Sequence, residues 1–260
     1  EIVSTSADAN TLHHGSHNDL FIKTQTFKGH SDSVSALVFD DSHGILFTAS
    51  LDCSIKVWIV ETGALKKSFP VAHTQGICSL LLWKGFLYSG SFDATIIKWG
   101  LTHFDQLHTY HGHTEAVYAI VGVDGVLISA SRDSTVRVWN EAAPESGCSS
   151  ILRGHASAIL CLCLIGEHLY TGSDDSLIKK WVWKEQRCVG ELRGHADSVT
   201  CVRAWTDEML LSASYDATVR FWDVTKGTCV RVCQAESGLR SVDLNAGARL
   251  LLAAGNDASM

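Results

Sequence analysis

No stretch of more than two consecutive Lys or Arg occurs in the 260 residues, and acidic side chains outnumber basic ones by 28 to 21, for a formal charge of -7. A general phosphate-binding surface needs a clustered basic footprint, so nucleic acid is not an expected partner. Long apolar runs are missing as well. The longest, Ala158 to Gly166, is nine residues, about half of the ~18 to 20 that a membrane helix requires. Glu1-Ile2-Val3-Ser4 has no basic segment leading into an apolar one, so it does not read as a signal peptide, and the missing initiator methionine leads us to expect a fragment of a longer protein.

CxxC pairs are absent too. Nine cysteines, an odd number lying mostly in predicted strands, fit reduced thiols better than a disulfide framework, and the expected compartment is cytoplasmic or nuclear. The sequence holds no GxxxxGK[ST], GxSxG, HExxH or GxGxxG. The common handles for nucleotide binding, acyl transfer and zinc hydrolysis are therefore missing, and no cofactor, metal or small-molecule ligand is expected.

What the chain does have is a period. His30, His73, His113, His155 and His195 recur at spacings of 43, 40, 42 and 40 residues. Each is followed 20 to 22 residues later by an Asp (Asp52, Asp93, Asp133, Asp175, Asp216), and each Asp six residues later by a Trp (Trp58, Trp99, Trp139, Trp181, Trp222). Between these markers lie short β-branched and aromatic stretches, such as Val34 to Phe39, Ile45 to Ser50 and Ile55 to Trp58, about four per repeat. An apolar fraction of 46% with 19% charged residues is that of a folded globular chain.

Gly precedes the His in four repeats, as Gly29-His30, Gly112-His113, Gly154-His155 and Gly194-His195, and Ala72 does so in the other; a literal Trp-Asp pair occurs once, at Trp222-Asp223. With this period, the chain resembles the WD40-repeat family over nearly its whole length. The resemblance implies an all-β fold, a WD40-type β-propeller. The expected organisation is a single domain over 1–260, with a partial blade at 1–28, five complete blades over about 29–234 and a partial blade at 235–260.

Ile2 to Asp8 aligns with Leu210 to Asp216, with His14 where a Trp is expected; near the other end Ala235 stands where a His is expected and Asp257 arrives on schedule. Seven blades, the first and last incomplete, is the preferred count. In a six-bladed ring the stretches Glu1 to Ser6 and Leu250 to Ala254 would duplicate one strand.

A recurring Ser-His-Asp set invites comparison with a hydrolase triad. Recurrence speaks against it, because Ser50, Ser91, Ser131, Ser173 and Ser214 each stand two residues before their Asp in every complete repeat, and an active site is needed once. The family resemblance implies a structural tetrad instead: His donates to Asp, and Ser relays to the Trp indole.

Two position classes vary while the framework repeats. Those before the Asp are Ala7, Leu51, Phe92, Arg132, Asp174, Tyr215 and Asn256; those five after the His are Ser35, Cys78, Tyr118, Leu160 and Thr200, with Arg240 equivalent. The resemblance puts both at the usual partner-binding end. Leu51, Phe92, Tyr118, Arg132, Leu160, Asp174, Tyr215 and Arg240 are the expected rim, rich in the aromatic and Arg side chains of binding hot spots. Capping of a channel mouth is the plainer alternative.

Lys98 and Lys180 are expected to snorkel to solvent. His108, His111 and His113 and the group His13, His14 and His17 are weak metal candidates. Cys161 with Cys163, and Cys229 with Cys233, are assigned to the core. The expected function is a non-enzymatic scaffold that holds proteins or peptides in a multiprotein complex. The alternative is a recognition domain of a larger enzyme, such as a ubiquitin ligase or a kinase. An enzymatic channel site would need converging carboxylates, and Asp174 is the only acidic residue among the variable positions.

Overall fold

Alternating side chains of the repeats suit pleated strands that bury both faces, and the computed structural model consists of antiparallel sheets. It describes residues 2–5, 11–15, 25–69, 71–245 and 250–255. The expectations for Ala7, Asp8, His17, Asn256 and Asp257, and for the His14 side chain, lie outside what is described.

By contacts the chain divides into two compact units, Glu1–His111 and Gly112–Met260. The first holds a three-stranded sheet, β1 (Ile2–Thr5), β2 (Thr11–Gly15) and β3 (Gln25–Lys28). It also holds two four-stranded sheets: β4 (Val34–Asp40), β5 (Ile45–Ser50), β6 (Ile55–Ile59), β7 (Leu65–Phe69), and β8 (Ile77–Trp83), β9 (Phe86–Ser91), β10 (Ile96–Gly100), β11 (Gln106–Tyr110).

The second unit has three four-stranded sheets. They are β12 (Val117–Val123), β13 (Val126–Ser131), β14 (Thr135–Asn140), β15 (Cys148–Arg153); β16 (Ile159–Ile165), β17 (His168–Ser173), β18 (Ile178–Val182), β19 (Arg187–Leu192); and β20 (Val199–Thr206), β21 (Met209–Ser214), β22 (Thr218–Asp223), β23 (Thr228–Gln234). A two-stranded sheet, β24 (Leu239–Asn245) and β25 (Leu250–Gly255), follows.

Consecutive sheets pack face to face within each unit. In the first, Phe47, Ile55 and Val57 meet Ile77, Leu87 and Trp99, and Phe27 stands edge-on to Trp58 at 5.6 Å. In the second, Val138 and Ile128 meet Leu162 and Trp181, and Tyr170 and Ile178 meet Leu210 and Trp222. Each of Trp58, Trp99, Trp181 and Trp222 packs against residues of the sheet before its own, so one side chain serves both its own network and the seam.

Two bulges recur. One sits in the first strand of six sheets, where the ladder steps over Ser35, Cys78, Tyr118, Leu160, Thr200 and Arg240. The other sits in the outer strand beside the Trp of each complete sheet. The second explains three cysteines: the thiols of Cys148, Cys188 and Cys229, each paired with its sheet's Trp, donate to the carbonyl two residues on.

It also corrects one assignment. Cys161 and Cys163 share one buried face, but Cys229 packs against the Trp222 cluster and Cys233 against the Phe221 cluster, because the extra residue Val230 resets the alternation between them. Both are only half-buried.

Candidate functional site

The loop before the first strand of each complete sheet and the turn between its second and third strands lie together at one end of that sheet, tied by backbone bonds. The N–H of Leu51, Phe92, Arg132 and Asp174 donates to the carbonyl of Ser33, Gly76, Ala116 and Ala158 at 2.9 Å, and that of Tyr215 to Ser198 at 3.1 Å. The turn Asp organises this end. In the Asp133 turn, Oδ1 accepts the Thr135 N–H at 2.9 Å and its hydroxyl at 2.6 Å, while Oδ2 accepts the Thr114 N–H at 3.2 Å and His113 Nδ1–H at 2.7 Å. A carboxylate turned onto its own backbone two residues on is an Asx turn.

The next residue takes a left-handed conformation in every repeat: Cys53, Ala94, Ser134, Ser176 and Ala217 have φ between 61° and 66°. None is glycine.

All five His–Asp contacts are made, at 2.7 to 3.0 Å. The hydroxyl partner differs from the expected one. Each Trp indole donates at 2.8 to 2.9 Å to Thr48, Ser89, Ser129, Thr171 or Ser212, and the same oxygen meets the His Nε2 at 2.6 to 2.8 Å. Ser50, Ser91, Ser131, Ser173 and Ser214 stand two residues later and do not relay to the indole. Their hydroxyls instead accept the N–H of the turn Asp at 3.0 to 3.1 Å and donate to carbonyls of the preceding loop.

Donor inventory fixes the direction of the relay. An indole can only donate, so the hydroxyl accepts from Trp and spends its one proton on His Nε2; the imidazole is then protonated at Nδ1 and donates to Asp. That is the order of a hydrolytic triad. Here the hydroxyl-bearing residues are 0% exposed, and an indole N–H occupies the oxygen that would have to attack. No substrate atom reaches it.

Burial alone would raise the carboxylate pKa values, and hydrogen bonds overcome it. The Ser54 hydroxyl, the N–H groups of Ser31 and Ser54, and His30 hold Asp52 down at about 2. Asp175 is held at about 2 against the same burial effect by His155 and the N–H of Ala156, with Leu177 N–H assisting. Asp93, Asp133 and Asp216 are likewise lowered. Burial lowers His30, His113 and His195 despite their carboxylate partners. In those three blades the network is thus a neutral imidazole between a hydroxyl and an ionised Asp.

The variable positions stand beside this framework. In the first unit Leu51 and Phe92 are 37% and 36% exposed. They flank Gly76, where a Cβ would come within 3.1 Å of Leu51 and 3.2 Å of Phe92. In the second unit Arg132, Asp174 and Arg240 are exposed and Tyr215 is 37% exposed, while Tyr118 and Leu160 are half-buried. Arg132 pairs with Glu115 at 3.3 Å, and Tyr215 lies against Gly238.

Tyr118, Leu160 and Arg240 are the bulged residues of their strands, which no periodicity in the sequence foretells. Two members of the same class are committed elsewhere: Ser35 donates to the Ile77 carbonyl, and Thr200 to that of Leu239 at 2.8 Å.

Lys98 and Lys180 do not simply reach into solvent. The Lys98 ammonium lies 3.8 Å from the Phe86 ring centroid, and Lys180 donates to the Val224 carbonyl at 3.3 Å. A ring face and a backbone carbonyl take up the two ammonium groups. Among the described residues no group of three or more His, Cys, Asp or Glu is placed to hold a metal ion. None of their helices is long and apolar enough to cross a membrane.

A family model described as "WD domain, G-beta repeat" matches residues 21–58, 104–140, 146–181 and 186–223, more than half of the chain. The chain belongs to the WD40-repeat family. Its sheets are the blades of an all-β, WD40-type propeller with six to seven blades. The match passes over 59–103, which holds β8, β9 and β10 and the Ala72 that replaces the usual Gly, yet His73, Ser89, Asp93 and Trp99 make the same contacts there.

Among its relatives is an uncharacterized WD repeat-containing protein of Schizosaccharomyces pombe, 29% identical over 78% of this chain and 59% of that protein. The nuclear distribution protein nudF of Aspergillus niger is 24% identical over 89% of this chain and 59% of its own length. The human F-box/WD repeat-containing protein 10 is 28% identical over 80% of this chain and 20% of its own length. The chain thus spans about three fifths of the first two relatives and a fifth of the third. WD40 repeats are protein-interaction modules, and WD40 propellers are in general non-enzymatic.

Proposed function

We propose that the chain is a scaffold that holds a protein or peptide partner within a multiprotein complex in the cytoplasm or nucleus, without chemistry of its own. The observation that carries this reading is the division of labour at the turn end of each blade. His, Asp, Trp and the buried hydroxyl repeat, while the exposed residue before each Asp is Leu51, Phe92, Arg132, Asp174 or Tyr215, different in every blade. Residues freed from folding duty and rich in aromatics and Arg are suited to choosing a partner. The bulged Tyr118, Leu160 and Arg240 extend that set in the second unit, bulges being a recurrent means of re-aiming a side chain.

The test compares partner recovery by the intact protein and by the triple substitution Phe92→Ala, Arg132→Ala, Tyr215→Ala. Partners should be lost at least tenfold while thermal stability is kept; equal recovery would remove these turn positions from consideration. Similarity to an F-box/WD repeat-containing protein supports a second reading, a recognition domain of a larger regulatory enzyme. An F-box, RING or kinase pattern in sequence adjoining this chain would favour it.

A further inference from the structure

Every complete blade ends in an outer strand, and in the second unit β15, β19 and β23 each have a strand neighbour on one side only among the described residues. Such an edge offers its backbone N–H and C=O groups to any extended chain, and proteins ordinarily blunt it with charge. Here β7 carries Lys66 and Lys67, and β19 carries Arg187 and Glu191.

β11 has no charged side chain and β15 only Arg153; β23, Thr228–Gln234, is as sparsely charged and exposes two valines. Over seven residues, Thr-Cys-Val-Arg-Val-Cys-Gln, it has no acidic side chain and one cation. Val230 and Val232 are 54% and 48% exposed. Val232 faces Arg220 across the ladder, the place that Glu191 takes opposite Lys179 in the preceding sheet, where the two form an ion pair.

Two cations at this edge, Arg220 on the Val232 face and Arg231 on the opposite one, have no counter-charge of their own. Lys179 and Arg193 share Glu191, but among the described residues neither Arg220 nor Arg231 pairs with a carboxylate. Arg220 Nε is buried without a hydrogen-bond partner. Arg231 stands between the two valines in sequence, its guanidinium 5.9 Å from the Phe221 ring centroid.

We propose that β23 is a second docking surface, separate from the turn-end residues, which takes an extended partner segment alternating apolar and acidic residues by strand addition. Past the bulge at Val230, period-two alternation puts apolar side chains beside Val232 and the carboxylates on the Arg231 face. A basic or uniformly polar segment satisfies one of these demands at most.

The probe is an acetylated, amidated nonapeptide of alternating valine and glutamate. Its controls are the same peptide with lysine for glutamate, and the glutamate peptide N-methylated at alternate amides, which cannot pair with an edge. Binding to the full chain is read by fluorescence anisotropy and by hydrogen exchange at the amides of 228–234. The glutamate peptide is expected to slow exchange there at least tenfold and the two controls to leave it unchanged.

Val232→Lys, a change at an exposed site, should abolish the slowing, and Arg231→Glu should transfer it to the lysine peptide. No slowing, or equal slowing by either control, overturns the proposal. So does loss of binding in the Phe92→Ala, Tyr215→Ala protein, which would assign the peptide to the turn end instead.

Discussion

Removing the Ser129 hydroxyl separates the two serine roles in one experiment. Ser129 Oγ accepts from Trp139 Nε1 at 2.9 Å and meets His113 Nε2 at 2.8 Å, in a residue that is 0% exposed. Ser129→Ala leaves an indole N–H and an imidazole nitrogen buried with no replacement, each at ~1 to 3 kcal/mol, so a loss of about 2 to 5 kcal/mol is expected. Ser131→Ala, two residues on, removes an acceptor for the Asp133 N–H at 3.1 Å and a donor to the Glu115 carbonyl at 2.9 Å. Ser131 is itself buried, but its backbone partners belong to half-buried Asp133 and exposed Glu115, so about 1 kcal/mol is expected.

Ser129→Thr should be close to neutral, because Thr48 and Thr171 already fill this place in two other blades. Urea unfolding of the three variants, followed by tryptophan fluorescence, gives the order directly. A Ser131→Ala loss equal to or greater than that of Ser129→Ala would refute the relay as drawn.

Asp133→Ala removes the acceptor of four bonds at once, from His113, Thr114 and the backbone and hydroxyl of Thr135. About 3 to 5 kcal/mol should be lost, with partner binding by folded protein retained, as checked by calorimetry and pull-down. Acid should destabilise the fold in two stages. His30, His113 and His195 have folded pKa values below 6.5, so their contribution is complete above pH 6.5 and declines as pH falls below it. The turn carboxylates, lowered from 3.8 to about 2 at Asp52 and Asp175, contribute fully above pH 3.8 and lose that contribution toward pH 2. Stability that rises between pH 6.5 and pH 4 in urea titrations would contradict the first stage. Ala217→Gly should raise stability by roughly 0.5 to 1 kcal/mol, because Ala217 holds a φ of 61° that glycine adopts without strain; a lower melting temperature would count against this.

The blades were legible because His, Asp and Trp recur at fixed distances, and spacing alone found the blade of Ala72, most of which the family model passes over. The relay hydroxyl was misplaced for a physical reason. Residues i and i+2 of a strand share a face, so Thr48 and Ser50 are equivalent by pattern, and attention goes to the position where Ser never varies. The better signal was a hydroxyl ten residues before each Trp, satisfied by Thr48, Ser89, Ser129, Thr171 and Ser212 alike. Bulges left no such trace. Their effect on Cys229 and Cys233, and on the aim of Tyr118 and Arg240, depends on ladder register, which composition does not encode. The destination of Lys180, a carbonyl of the neighbouring blade, is a tertiary contact invisible from its own repeat.

The bulge in each first strand has a consequence for how such a protein can change. A residue stepped over by the ladder can be exchanged without shifting any pair on either side of it, so Cys78, Tyr118, Leu160 and Arg240 stand apart from the register of the sheets that carry them, whereas Ser35 and Thr200 are tied by their hydroxyls to the next sheet. Evolution, or a combinatorial library, can rewrite those four letters while the frame stays in register.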